Sequence, residues 1–288
     1  MTRKLLAAGG AVLLALALVG PISAITNGVP DGDDHPYVAL MVAQDATGKP
    51  MWRCSGSLIS EDLFLTAGHC TDGAIHVEIW FDKGPVPTAA GYPVAGADPC
   101  AGINGYPCTG DVGGTPHTNP LYQSEENPYG GGNGLPAFSY RDVGVVVLDE
   151  SHPMSTYAQL PTAGLVDTLP SKAAIDFVGY GVQEQIMAFP GQPPRARWGG
   201  PRTRMYAPGE LVSGNFVHSA EYIRSTLNPG GGKGGTCFGD SGGPDLLGGT
   251  RTVLSVNSYV TNVNCSGVGY GARIDVPEVL DWIEGYMD

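Results

Sequence analysis

Charge is sparse in this 288-residue chain, and long helical periodicity is scarcer still: only 15% of its residues are Asp, Glu, Lys or Arg. A disordered chain carries more charge and less apolar material than the 42% present here, so a packed core is expected. Basic residues are few, 15 Lys and Arg against 28 Asp and Glu, giving a net charge of −13. That balance excludes the cationic surface that nucleic acid or an anionic membrane would need, and neither is expected as a partner. The cysteines show no Cys-x-x-Cys and no compact zinc spacing, and neither metal nor cofactor is expected. Beyond residues 5–20 no apolar run is long enough to span a bilayer.

Glycine (44) and proline (24) are plentiful, and they separate short apolar runs. That rhythm favours an all-β architecture. Arg3 and Lys4 followed by an apolar run to Gly20 and by Ile22-Ser23-Ala24 read as a signal peptide over residues 1–24. The expectation is a secreted, extracellular protein whose mature chain starts at Ile25 with net charge −13 − 2 = −15. Export puts Cys54, Cys70, Cys100, Cys108, Cys237 and Cys265 in an oxidising compartment, so three disulfides are expected, with many pairings open.

Tyr37–Val42, Ser57–Thr66, Ile75–Phe81, Val143–Leu148, Ala174–Val182 and Thr252–Val260 read as strands. Lys83–Tyr140, Phe189–Arg204 and Asn228–Gly235 read as loops, the first held by a Cys100–Cys108 clip. Pro277–Tyr286 reads as a short amphipathic helix with proline in its first turn. The economical division is residues 25–150 and 151–288, two β units and a terminal helix.

Three stretches carry chemistry. In Gly239-Asp240-Ser241-Gly242-Gly243-Pro244 a serine sits between glycines, on backbone able to turn sharply and expose a hydroxyl. The N–H groups of Gly239 and Ser241 can converge on a developing oxyanion. A serine hydroxyl needs a base. Of His35, His69, His76, His117, His152 and His218, only His69 has a distinguishing frame, Thr66-Ala67-Gly68-His69-Cys70 after an apolar strand. His117 and His152 read as solvated loop residues, and His218 is the rival base. Asp142 heads the run Val143–Leu148, where a charge is costly unless hydrogen-bonded or paired. Asp149, at the other end, reads as a solvated strand terminus.

These blocks, in the order His69, Asp142, Ser241, resemble the signatures of chymotrypsin-like serine proteases. Ile25-Thr26-Asn27-Gly28, Cys54-Ser55-Gly56-Ser57-Leu58-Ile59, Gly179-Tyr180-Gly181 and Asp281-Trp282-Ile283 resemble further segments of that family. The resemblance implies two six-stranded antiparallel β-barrels with a short C-terminal helix, and disulfides Cys54–Cys70 and Cys237–Cys265. It implies a serine endopeptidase with His69, Asp142 and Ser241 as triad and protein or peptide substrates. Protein protease inhibitors are expected as further partners, and a monomer is expected. It also implies that the Ile25 ammonium folds inward to pair with Asp240, so that signal cleavage itself would activate the enzyme.

By the same resemblance Gly235 sits at the base of the specificity pocket, where an acid would select basic residues, and a neutral pocket suggests an apolar one. Ser258-Tyr259-Val260 resembles the pocket wall, with Val260 narrowing the entrance; an alternative register uses Ser255. The His69–Asp142 spacing of 142 − 69 = 73 residues exceeds the family's usual one, the excess lying in the insertion at 85–140. Asp31–Asp34 and Glu125-Glu126 read as solvated acidic loops rather than calcium ligands. No histidine follows Ser241, which excludes the Ser-Asp-His order of an α/β-hydrolase esterase. The other alternative is a catalytically inactive protease-like binding protein.

Overall fold

The computed structural model describes residues 25–87, 105–125, 138–182, 184–186, 197–199, 202–212, 218–228, 230–262 and 265–287. The expected signal peptide and Cys100 lie outside them.

The first half is a closed six-stranded antiparallel barrel. It follows β1 (Val29–Pro30) and contains β2 (Val38–Gln44), β3 (Pro50–Leu58), β4 (Leu63–Thr66), β5 (His76–Trp80), β6 (Val112–Thr118) and β9 (Gly144–Leu148). Their order around the barrel is β2-β3-β4-β9-β6-β5. The helical turn α1 (Gly68–Thr71) follows β4, and β7 (Gln123–Glu125) and β8 (Phe138–Tyr140) form a separate hairpin ahead of β9. Every residue of β2 is buried, because the strand lines the barrel on one face and meets the second half on the other.

The second half contains β10 (Ala174–Gly179), the small pair β11 (Glu184–Ile186) and β12 (Arg197–Gly199), β13 (Met205–Glu210), β14 (Tyr222–Thr226), β15 (Pro244–Leu247), β16 (Val253–Val260) and β17 (Val268–Arg273). Its main sheet runs β1-β13-β10-β15-β16-β17-β14. Six of these strands come from the second half and β1 joins from the N-terminal segment; the six expected strands are present, curled into a half-barrel. Among the described residues, the end of β13 and the edge strand β14 approach each other at the isolated bridge Leu211–Ser225. The helix α2 (Pro277–Glu284) starts at proline and buries Val279, Leu280 and Ile283, seating itself on the main core.

Several sequence expectations need correction. Ser57–Thr66 is two strands, since the backbone reverses at residues 59–62 and Ile59 N–H returns to Leu63 O at 3.0 Å. The insertion contains β6, a barrel strand whose Val-Gly-Gly-Thr-Pro-His-Thr sequence has no apolar alternation to announce it. His117 lies on that strand, half-buried against the Tyr286 ring at 4.9 Å, and His152 stacks on Phe81 at 4.4 Å; neither is a free loop residue. Cys54–Cys70 and Cys237–Cys265 are disulfides, and Cys108 is disulfide-bonded as well.

Asp31 is not a solvated loop acid. It is buried and accepts from Arg204 Nε at 2.8 Å and from His35 N–H at 3.1 Å. Burial opposes its charge, but the hydrogen bond and charge of His35 and the charge of Arg204 together hold its carboxyl below the usual range. Arg204 also donates to the carbonyls of Gly32, Val38 and Phe81, so one buried guanidinium pins the N-terminal segment to both halves. Breaking a buried pair strands a charge. Arg204→Met is expected to cost about 3–5 kcal/mol in denaturant unfolding. The double variant with Asp31→Asn should lose less than the sum of the two single losses.

Candidate active site

His69 and Asp142 come together because α1 and the start of β9 lie side by side. Asp142 is completely buried. One carboxylate oxygen accepts the His69 backbone N–H at 2.8 Å, and the other accepts His69 Nδ1–H at 2.9 Å. The second oxygen also accepts the Ser258 hydroxyl, which arrives from β16 in the other half. Burial alone would raise the Asp142 carboxyl, but the charge and hydrogen bond of His69 and the Ser258 hydroxyl hold it below its usual value. Burial alone would depress the imidazolium, yet the Asp142 charge and hydrogen bond raise His69 above 6.5. With Nδ1 donating to the carboxylate, Nε2 is left as the basic nitrogen.

Arg141 fixes the start of β9. It adopts φ +47° and ion-pairs with Glu221 at 2.8 Å and with Glu278 of α2.

The turn that carries Ser241 reaches the same place from the second half. Ser55, on β3, is a buried hub: its N–H donates to Ser241 O at 2.8 Å and its hydroxyl to Gly239 O at 2.9 Å. The Tyr180 N–H donates to the Ser55 hydroxyl at 2.9 Å. Gly242 has φ +77°, and a Cβ there would stand 2.0 Å from Thr66 Oγ1 and 2.8 Å from Ala67 N. Only glycine lets this turn press against the strand that leads into His69. Among the described residues the N–H groups of Gly239 and Ser241 donate to no acceptor. Gly239 has φ +92°. Ser241 is half-exposed, and among the described residues its hydroxyl makes no hydrogen bond to the His69 ring. Such contacts often tighten only when substrate binds.

Beside Ser241 lies a cavity of about 20 Å³ lined by Thr236, Cys237, Phe238, Ser258, Tyr259 and Val260. Ser258 and Val260, two of the residues expected at the specificity pocket, are among those lining this cavity. Gly235 does not line the cavity; it lies behind, paired through its backbone with Thr26 and closed in by Leu227. The alternative Ser255 instead hydrogen-bonds Asp245 at 2.5 Å. The role of Ser258 toward Asp142 was not legible in the sequence, because no local pattern links residues 116 positions apart.

Ile25 is fully buried among Ile175, Phe177 and Ile223, and Thr26 bridges to Gly235. Asp240 is buried and accepts N–H groups from Gly181 at 2.7 Å and Cys237 at 2.9 Å, with no ion-pair partner among the described residues. Burial pushes its carboxyl up to about 7, against the pull of those N–H groups and of Arg53. The rival histidine, His218, faces Asp167 at 3.5 Å and is remote from this constellation in its contacts. Cys54, His69 and Cys70 offer close ligand atoms, but both cysteines are consumed in their disulfide and present no thiolate to a metal.

No curated protein sequence matches the chain. Among solved structures it is similar to an HL collagenase, at 18% identity and a TM-score of 0.59, over 88% of this chain and 94% of that one. It is similar also to human heparin binding protein, at 18% identity and a TM-score of 0.53, over 93% and 96% of the two chains. At such identity these likenesses establish the fold. The family model described as Trypsin matches residues 27–91 and 140–283, leaving out most of the insertion between His69 and Asp142. By that match, spanning both halves, the chain belongs to the trypsin family of serine proteases.

Proposed function

We propose that this chain is a secreted serine endopeptidase acting through an acyl-enzyme, with Ser241 as nucleophile, His69 as general base and then acid, and Asp142 as the group that orients His69. The observation that carries the reading is the His69–Asp142 pair, joined through both the ring and the backbone of His69. It stands beside a turn in which the N–H groups of Gly239 and Ser241 have no acceptor among the described residues. His69 Nε2 takes the Ser241 proton as the oxygen attacks the scissile carbonyl. Asp142 keeps the ring in the tautomer that leaves Nε2 basic and stabilises the imidazolium. The N–H groups of Gly239 and Ser241 receive the oxyanion, a contribution of several kcal/mol at the transition state. His69 then protonates the departing amine, and water resolves the acyl-enzyme.

A cavity of about 20 Å³ admits little more than a single water-sized group. Among the described residues no carboxylate lines it. Both facts favour a small, apolar residue on the acyl side of the cut and disfavour Lys, Arg and aromatics. Protein protease inhibitors are the natural further partners, and the disulfides suit an extracellular site of action. Heparin binding, named for one structural neighbour, is disfavoured by a net charge of −13.

Activation would follow from processing. A buried carboxyl at Asp240 that forms no ion pair among the described residues, and a buried Ile25 docked through Thr26 to Gly235, suit an inward ammonium released by cleavage before Ile25. Pairing would raise that ammonium above its ordinary value of about 7.7–8.0. The active form would then be retained at lower pH and lost as pH rises through the raised value.

Library profiling with Ser241→Ala as blank should show cleavage after small apolar residues; no turnover and no labelling by a serine-directed phosphonate would sink the reading. Asp142→Asn should lower kcat by about 10⁴. In the wild type, activity should be lost as pH falls through the His69 value, and the midpoint of that acid limb in kcat/KM should lie above the ordinary imidazole value because Asp142 raises it. N-terminal sequencing of the active enzyme should read Ile25-Thr26-Asn27; a start well beyond Ile25 contradicts the activation scheme.

A further inference from the structure

Arg53 stands on β3 two residues before Ser55, so both side chains leave the strand on one face. That face meets the nucleophile turn, as the Ser55 hydroxyl bonded to Gly239 O shows. The Arg53 guanidinium reaches the same turn. Its Nε and Nη2 lie 3.1 and 3.2 Å from where a Cβ on Gly239 would stand. Its Nη1 donates to the Tyr106 hydroxyl at 2.9 Å, which holds the group in place. Tyr106 is itself buried, with the Arg202 guanidinium 3.9 Å from its ring centroid. Two cations therefore flank one ring beside the site of a chain with net charge −13. Among the described residues no carboxylate forms an ion pair with Arg53.

The two sides of the turn differ in origin. The small cavity is lined entirely by the second half, whereas Arg53 belongs to the first barrel and borders Gly239 from β3. A substrate that places its acyl side chain in the cavity must lead its leaving-group residues away from it, toward β3. There the Nε–Nη2 edge, which can receive a carboxylate through two parallel N–H bonds, borders their path.

Resting on the hydrolase reading above, we propose that Arg53 selects substrates bearing Asp or Glu within the first residues after the scissile bond. The charge of Arg53 also reaches the buried Asp240, so a merely supporting role in the turn is the competing explanation. The two differ in their kinetics. A support alters hydrolysis of every substrate, whereas a selector alters only substrates that carry the residue it reads.

The test compares wild type with Arg53→Met, Arg53→Lys and Arg53→Glu. The substrates are peptides identical except for Asp, Ala or Lys at the first two positions after the cut. A nitroanilide with the same acyl part and no residues beyond the cut serves as the reference. Wild type should favour Asp over Ala in kcat/KM by about tenfold, the scale of one charge-assisted pair. Arg53→Met should abolish the preference, Arg53→Lys should keep part of it, and Arg53→Glu should turn it toward Lys. The readout is the kcat/KM of each peptide relative to that of the nitroanilide, so a change in the turn common to all substrates cancels, and nitroanilide turnover in Arg53→Lys, which keeps the charge that reaches Asp240, reports that the fold is intact. An unaltered preference in the variants, no acidic preference in wild type, or a uniform fall on all substrates including the nitroanilide with these ratios unchanged overturns the inference. If wild type neither hydrolyses the nitroanilide nor takes the phosphonate label, the hydrolase reading fails and this inference falls with it.

Discussion

A carboxylate with no access to water governs the arrangement. Burying Asp142 as an anion would cost several kcal/mol if its oxygens were left bare. They accept the His69 backbone N–H, the His69 ring and the Ser258 hydroxyl. Two of these donors come from the first barrel and one from the second sheet. The acid is therefore satisfied only when the halves are docked, and the same contact that offsets its desolvation orients the imidazole. Stability and chemistry are coupled at one side chain. The Arg141 ion pairs with Glu221 and Glu278 reinforce the docking one residue away.

The second junction is the buried hydroxyl of Ser55. It joins β3, the nucleophile turn and Tyr180 through short polar contacts. Gly242 permits the close approach, and Gly239 carries the positive φ of the turn. Such backbone geometry leaves two N–H groups without partners. In a structural loop that would be an uncompensated cost; on the proposed function it would be a preformed receptor for negative charge.

Charge is placed against the grain of the composition. The protein is acidic, yet its site is bordered by Arg53, with Arg202 behind Tyr106. Asp240 sits beneath the turn with a carboxyl that burial pushes up to about 7. On the proposed activation scheme, a cation delivered to that point would stabilise the anion and hold the turn, and would so link processing to the geometry of the Gly239 and Ser241 N–H groups.

Most of what could be read directly was local. His69 in Thr66–Cys70, Asp142 ahead of a valine run and Ser241 among glycines each sit in a frame of five or six neighbouring residues, and their order excluded the esterase fold. The helix at Pro277 and several strand cores were legible because burial imposes a pattern on adjacent positions. Strand β6 was not, since its glycines, proline and threonines are shaped by barrel closure rather than by a repeating apolar face. Tertiary structure alone decided that Ser258 bonds Asp142, that Gly235 lies behind the cavity instead of lining it, that Asp31 is buried on Arg204, and that Arg53 borders Gly239. Each of these is a contact between segments far apart in the chain. Sequence periodicity describes what a residue's neighbours do, and it holds no record of which distant segment will arrive.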